Sequence, residues 1–100
     1  MAALALRVKG YRIVARNFKT PVGEIDIIAR KGDLIAIAEV KVRREVQSAL
    51  DAVGFESQRR IANAADLWLS RQRDHDRLSI RFDIIAVVRG RWPKHFPGAF

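Results

Sequence analysis

Three of the 11 acidic residues stand where carboxylates are uncommon. Glu24, Asp26 and Glu39 fall inside the strand-like apolar runs Gly23-Glu24-Ile25-Asp26-Ile27-Ile28 and Ile35-Ala36-Ile37-Ala38-Glu39-Val40. Aspartate is depleted in strands, and an unpaired buried charge is costly, so these groups need partners. Gly32-Asp33 between the two runs is the signal of a hairpin with a two-residue turn. With Lys31 opposite Leu34, Asp26 faces Glu39 and Glu24 faces Lys41. Strand alternation then predicts Glu24 and Asp26 on one face, and Glu39 and Lys41 likewise. Directly opposed Cβ atoms lie about 4.5–5.5 Å apart. Two carboxylates that close repel unless a cation sits between them or one holds a proton. Oxygen donors without cysteine or a nearby histidine match a hard ion, Mg²⁺ or Mn²⁺, rather than zinc. Lys41 would then be placed to hold a scissile phosphate or an attacking water. The competing reading has Lys31 and Lys41 salt-bridging the carboxylates on a solvent-facing sheet, with no chemistry attached.

The elements that must position these groups read as follows. Ala2–Lys9 is a short helix stopped by Gly10, and Tyr11–Phe18 alternates as a strand. Thr20-Pro21-Val22-Gly23 marks a turn, followed by the hairpin strands Glu24–Lys31 and Leu34–Val42. After Arg43-Arg44 the period changes. A short helical turn is expected at Ala49–Val53. It precedes an amphipathic helix of roughly 17 residues, with Phe55, Gln58, Ala62, Ala65, Leu69 and Gln72 on the inward stripe and Ile61 and Trp68 flanking it. Asp74-His75-Asp76 is a loop, Ser79–Val88 a last strand and Arg89–Phe100 an irregular tail. Ile84–Val88 is apolar enough for a central strand covered on both sides. A meander, a crossover helix and a further strand imply an α/β fold, a mixed sheet packed on helices.

Composition bounds the function. The 100 residues carry 19 Lys+Arg, a formal net charge of +8, 49% hydrophobic and 30% charged residues. That describes a single globular domain, residues 1–100, with no internal repeat or linker. The absence of cysteine excludes a disulfide scaffold, a thiolate metal site and a cysteine nucleophile. No apolar run approaches the about 18 residues that cross a bilayer, and Met1–Leu6 is too short for a signal-peptide core. A cytoplasmic protein without a membrane partner is therefore expected. The excess of cations points to a polyanion, foremost nucleic acid. No Gly-rich phosphate loop, nucleophile elbow or dinucleotide fingerprint is present.

Gly23-Glu24-Ile25-Asp26 followed after twelve residues by Glu39-Val40-Lys41 resembles the PD-(D/E)xK nuclease superfamily, whose restriction-endonuclease-like core reads αβββαβ. More narrowly the chain resembles the YraN family of small bacterial proteins with predicted endonuclease character. The resemblance rests on six ordered blocks: Lys9–Ile13 with Arg16-Asn17-Phe18, Gly23–Ala29, Ala38–Arg43, Gln58–Ile61 and Arg81-Phe82-Asp83. It implies Asp26 and Glu39 as metal ligands, with Glu24 a secondary candidate, and Lys41 as the phosphate-facing or water-orienting lysine. Gln58 would be an accessory polar group from the following helix, consistent with its place on the inward stripe. An end-of-helix glutamine reaching water is the alternative. The family pattern favours lysine where this chain has Ser57. The implied activity is Mg²⁺- or Mn²⁺-dependent hydrolysis of DNA phosphodiesters, including branched or structured DNA. A catalytically inactive nucleic-acid-binding protein retaining the fold is the alternative, and a homodimer is open.

Arg43-Arg44 and Arg59-Arg60 are expected to form a cationic rim around the acidic floor and to bind backbone phosphates. Trp68, Phe18 and Phe82 read as core. Trp92, Phe96 and Phe100 are expected to fold back over the domain, with self-association or base stacking as alternatives. His75 and His95 have no metal-ligand spacing, and Asp83 reads as a structural ion-pair partner of Arg81 or of a helix arginine.

Overall fold

A computed structural model describes all residues 1–100. The order is helix α1 (Ala2–Val8), strands β1 (Arg12–Thr20), β2 (Gly23–Lys31) and β3 (Leu34–Val42), then helices α2 (Val46–Asp51) and α3 (Phe55–Ser70). A single 3-10 turn at His75–Arg77 leads to strands β4 (Ser79–Val87) and β5 (Lys94–Phe96). The strands lie in the order β1-β2-β3-β4-β5. Only β3 and β4 run parallel; the other neighbours are antiparallel. A parallel pair needs a crossover, and α2 and α3 provide it. The result is the expected α/β architecture, a mixed sheet flanked by helices and compatible with a restriction-endonuclease-like core. No helix is long and apolar enough to cross a membrane.

Two cores explain the composition of the strands. Ile25, Ile28, Ile35, Ile37 and Ile84 pack under α3 against Ile61, Ala64, Ala65 and Trp68. On the other face, Ile27, Ala29, Ala36, Ala38 and Ile85 pack against Ala2, Ala3 and Leu6 of α1. Strand β3 is covered on both sides, which is why it reads as a continuous apolar run rather than an alternation. Gly32, at φ +61°, supplies the positive angle at the first loop position of the hairpin, as a type II′ turn requires.

Two expectations need correction. The buried stripe of α3 is Ile61, Ala64, Ala65 and Trp68, whereas Phe55, placed on the inward stripe from the sequence, is 79% exposed. The physical reason lies in β2. A Cβ on Gly23 would stand 2.2 Å from the Arg60 carbonyl oxygen, so the helix backbone rests on the glycine and its rotation follows from that contact. The tail is also not irregular throughout, because β5 extends the sheet alongside β4. Phe100 folds back to stack on Phe82 with centroids 5.4 Å apart, while Trp92 stays exposed.

Candidate active site at the β2–β3 acidic pair

The ladder between β2 and β3 runs from Lys31↔Leu34 to Ile27↔Ala38 in the expected register. It stops at the next pair, Asp26 and Glu39, where side chains take over from backbone carbonyls. The Asp26 N–H donates to Glu39 Oε2 at 3.2 Å, and the Val40 N–H donates to Asp26 Oδ2 at 2.8 Å. Each carboxylate thus satisfies a strand amide that would otherwise lose its ladder partner. The two acids are brought together as the register predicted.

The expected face-sharing of Glu24 and Asp26 is not observed. Ile25 packs under α3 while Ile27 packs under α1, so β2 changes face at Asp26 instead of alternating through it. Its neighbour across the β1 pairing is Asn17, which lies between Arg16↔Ile27 and Phe18↔Ile25. Asn17 has φ +50°, the one non-glycine residue with a positive φ. Asparagine tolerates that conformation better than most residues, and the face change of β2 falls at the residue opposite it. Strand patterning missed Asn17, which lines the cavity onto which Asp26 opens. Its only signal was an asparagine inside a strand.

Cavities open on both faces of the pair. Under α3, a cavity of about 390 Å³ is lined by Glu24, Glu39 and Lys41 from the sheet, Ser57 and Arg60 from the helix, and Thr20 and Gly23 from the turn. Thr20 shapes that turn: its hydroxyl donates to the Gly23 carbonyl and accepts from the Val22 and Gly23 amides. On the α1 face, Asp26 lines a second cavity of about 470 Å³ with Arg16, Asn17 and Val40. The acidic pair therefore spans the sheet.

Glu39 is only 7% exposed. Burial first, then the nearby Asp26 charge, pushes its carboxyl up to about 7, against the opposing pull of the Asp26 N–H and Lys41. Such a group sits between its charged and neutral forms near neutral pH, and a cation beside it would favour the charged one. The donor set fits a hard divalent ion in kind: two carboxylates that repel each other, with no sulfur or imidazole. No group of three or more acidic or histidine side chains gathers at metal-binding distance.

The predicted cations divide. Lys41 and Arg60 line the acidic cavity. Arg59 lies on the other side of α3. Arg43 turns back to donate to the Val42 carbonyl at 2.7 Å, and Arg44 is exposed in the bend before α2. Gln58 is not brought to the carboxylates. Its amide donates to the Val53 carbonyl at 3.1 Å, and it lines a separate groove with Arg59. The rotation of α3 that buried Ile61 presents Ser57 and Arg60 to the acids instead.

The model of the uncharacterised protein family UPF0102 matches residues 1–87. The chain belongs to that family. A UPF0102 protein of Chelativorans sp. (strain BNC1) is 63% identical over 95 residues, covering 95% of this chain and 77% of the relative. The UPF0102 protein of Agrobacterium fabrum is 64% identical over 99 residues, covering 99% and 81%. A Mesorhizobium japonicum UPF0102 protein is 58% identical over 100 residues, covering 100% and 80%. The matched span of the UPF0102 model includes both acids, Lys41 and Arg60, and ends at the last residue of β4.

A second polar cluster in this UPF0102 chain lies on the opposite side of the sheet's centre and is structural. Asp83 is fully buried. It accepts from Arg81 through both oxygens at 2.7 Å, from the Gly98 N–H at 3.0 Å, and meets His95 Nε2 at 2.7 Å. Arg81 also donates to the Tyr11 hydroxyl at 2.7 Å. Burial alone would raise the Asp83 pKa, but the bonds from Arg81, His95 and Gly98 outweigh it and hold the carboxyl at about 2. The Arg81 pairing was legible in the sequence. The part played by His95 was not, because its partner is distant in the chain.

Proposed function

We propose that this protein is a divalent-metal-dependent endonuclease-like hydrolase of DNA phosphodiesters, of the PD-(D/E)xK type and akin to the YraN family. The observation that carries the reading is the placement of Asp26 against Glu39 in the gap between β2 and β3, with Lys41 and Arg60 lining the cavity onto which Glu39 opens. Repelling carboxylates beneath unpaired cations make a poor salt-bridge surface and a good seat for a cation carrying a phosphate. Asp26 and Glu39 would hold Mg²⁺ or Mn²⁺, which supplies Lewis acidity toward a phosphoryl oxygen. Lys41 orients the attacking water or the scissile phosphate, and Arg60 holds an adjacent backbone phosphate. Gln58, bonded to Val53, has no part in this arrangement.

The test is cleavage of supercoiled, linear and branched DNA by purified protein with Mg²⁺ or Mn²⁺. Asp26→Ala and Lys41→Ala should each lower the rate by about 10²-fold or more, while DNA binding persists in a gel shift. Equal cutting by both variants and wild type would sink the assignment. The second reading, a nucleic-acid-binding protein without turnover, is favoured by Ser57 standing where the resemblance calls for lysine. It predicts salt-sensitive binding and no Mn²⁺ uptake at the acidic pair by calorimetry.

A further inference from the structure

Across α3 from the acidic cavity lies a groove of about 280 Å³, walled by Phe55, Gln58, Arg59 and Ala62 of the helix and by Phe82 and Phe100. At 3.6 residues per turn, Phe55, Gln58, Arg59 and Ala62 occupy the flank opposite Ser57, Arg60 and Ile61. Two features set the groove apart. Phe82 and Phe100 are stacked 5.4 Å apart at 30° and form a fixed aromatic floor. Phe55 is 79% exposed and shows its ring to solvent at the first residue of the helix. Neither Arg59 nor Arg60 takes part in any of the molecule's salt bridges. Two free guanidinium groups thus bracket the opening turns of α3, one toward each cavity.

We propose that this groove receives one unpaired base of a nucleic-acid strand whose backbone crosses the start of α3 on Arg59 and Arg60. The proposal rests on the nucleic-acid reading above and adds a substrate preference to it. A base offers two flat faces to aromatic rings, and stacking of this kind tolerates any base. The flanking phosphates match the free arginines, and the chain's net charge of +8 favours such a partner over an ordinary apolar peptide. Bases inside an intact duplex have their faces already stacked on neighbours. The groove therefore selects single-stranded, bulged or frayed positions close to the bond presented to the acidic pair.

The experiment uses the full chain without divalent cations, so that binding is read apart from cleavage. Single-stranded, single-base-bulged and fully paired DNA carry 2-aminopurine at the test position. Wild type should bind the unpaired forms more tightly than the duplex and change the fluorescence of the unpaired probe. Phe55→Ala and Phe55→Leu should each reduce that preference about tenfold, and Phe55→Trp should preserve it. Phe55 is exposed, so these variants are expected to fold, and circular dichroism checks this. The proposal is overturned if Phe55→Ala keeps the preference, or if leucine serves as well as phenylalanine. It is also overturned if sedimentation shows that Phe55→Ala merely dissociates a dimer. If wild type binds no DNA in any form, the nucleic-acid reading falls with it. Cleavage that depends on Asp26 with no effect at Phe55 removes the groove alone.

Discussion

Glu39 owes its protonation behaviour to its surroundings. Its carboxyl is raised from 4.5 to about 7 by burial and by Asp26. A raised folded-state pKa means that the neutral form is favoured by folding. The resulting stability is complete below pH 4.5 and is lost as pH rises through about 7. Glu39→Gln should therefore flatten the decline in stability between pH 5 and 8, measured by urea unfolding, and should abolish any stabilisation by Mn²⁺ at pH 8. A decline of the same size in Glu39→Gln would place its origin elsewhere. The opposition of Asp26 and Glu39 was legible because a two-residue Gly-Asp turn fixes register. The face change at Asp26 was not, because alternation rules carry no information about such local irregularities; it falls opposite Asn17, at φ +50° in the neighbouring strand.

At the scale of elements, the rotation of α3 decides which helical residues meet the acids. The sequence pattern put Phe55 and Gln58 on the inward stripe, with Ile61 and Trp68 only flanking it. The buried face is instead Ile61, Ala64, Ala65 and Trp68, a rotation of the helix that the period alone does not fix. The choice is made by a contact between elements, Gly23 of β2 under the Arg60 carbonyl. A methyl group at Gly23 must displace helix backbone rather than a flexible side chain. Gly23→Ala should accordingly cost about 1–3 kcal/mol in denaturant unfolding and lower cleavage by moving Arg60 off the cavity. Wild-type stability in that variant would show that the helix does not rest on the glycine. The boundaries of β2 and β3 came out close to expectation, since Pro-Val-Gly and Gly-Asp turn signals mark both ends of β2 and the start of β3. The β5 strand did not, because three residues stabilised by a distant edge leave no local pattern.

For the whole molecule, the Asp83 cluster joins β1's approach, β4 and the C-terminal segment through Tyr11, Arg81, His95 and Gly98. Lys9 continues the chain of contacts to His95 at 3.0 Å. The Asp83 pKa is lowered from 3.8 to about 2, so its stabilising contribution is present above pH 3.8 and is lost as pH falls through about 2. Asp83→Ala should cost about 1–3 kcal/mol, because it leaves the part-buried Arg81 guanidinium, His95 and the Gly98 N–H without their shared acceptor. Limited proteolysis should then cut first in the segment after Val87. A variant that resists protease and unfolds like wild type would show the cluster to be dispensable. The net charge of +8 also looks different in this light. Carboxylates are drawn inward at two places, the Asp26–Glu39 pair and the single Asp83, and leave most of the cationic excess outside.

The mixed sheet has a consequence for how the acidic pair comes into being. Strands β2 and β3 are joined by a two-residue turn, whereas β4 reaches β3 only after both crossover helices have been laid down. Local pairings close before distant ones, because less chain entropy is lost. Asp26 and Glu39 are thus expected to meet while the hairpin is still open to water and their repulsion is screened. The docking of α3 then removes that water. Pulse-labelled amide exchange should protect the β2–β3 ladder before the β3–β4 ladder, and the reverse order would contradict it. On this order of events, the electrostatic tension at the site is not an obstacle the chain must cross early; it is sealed in at the end.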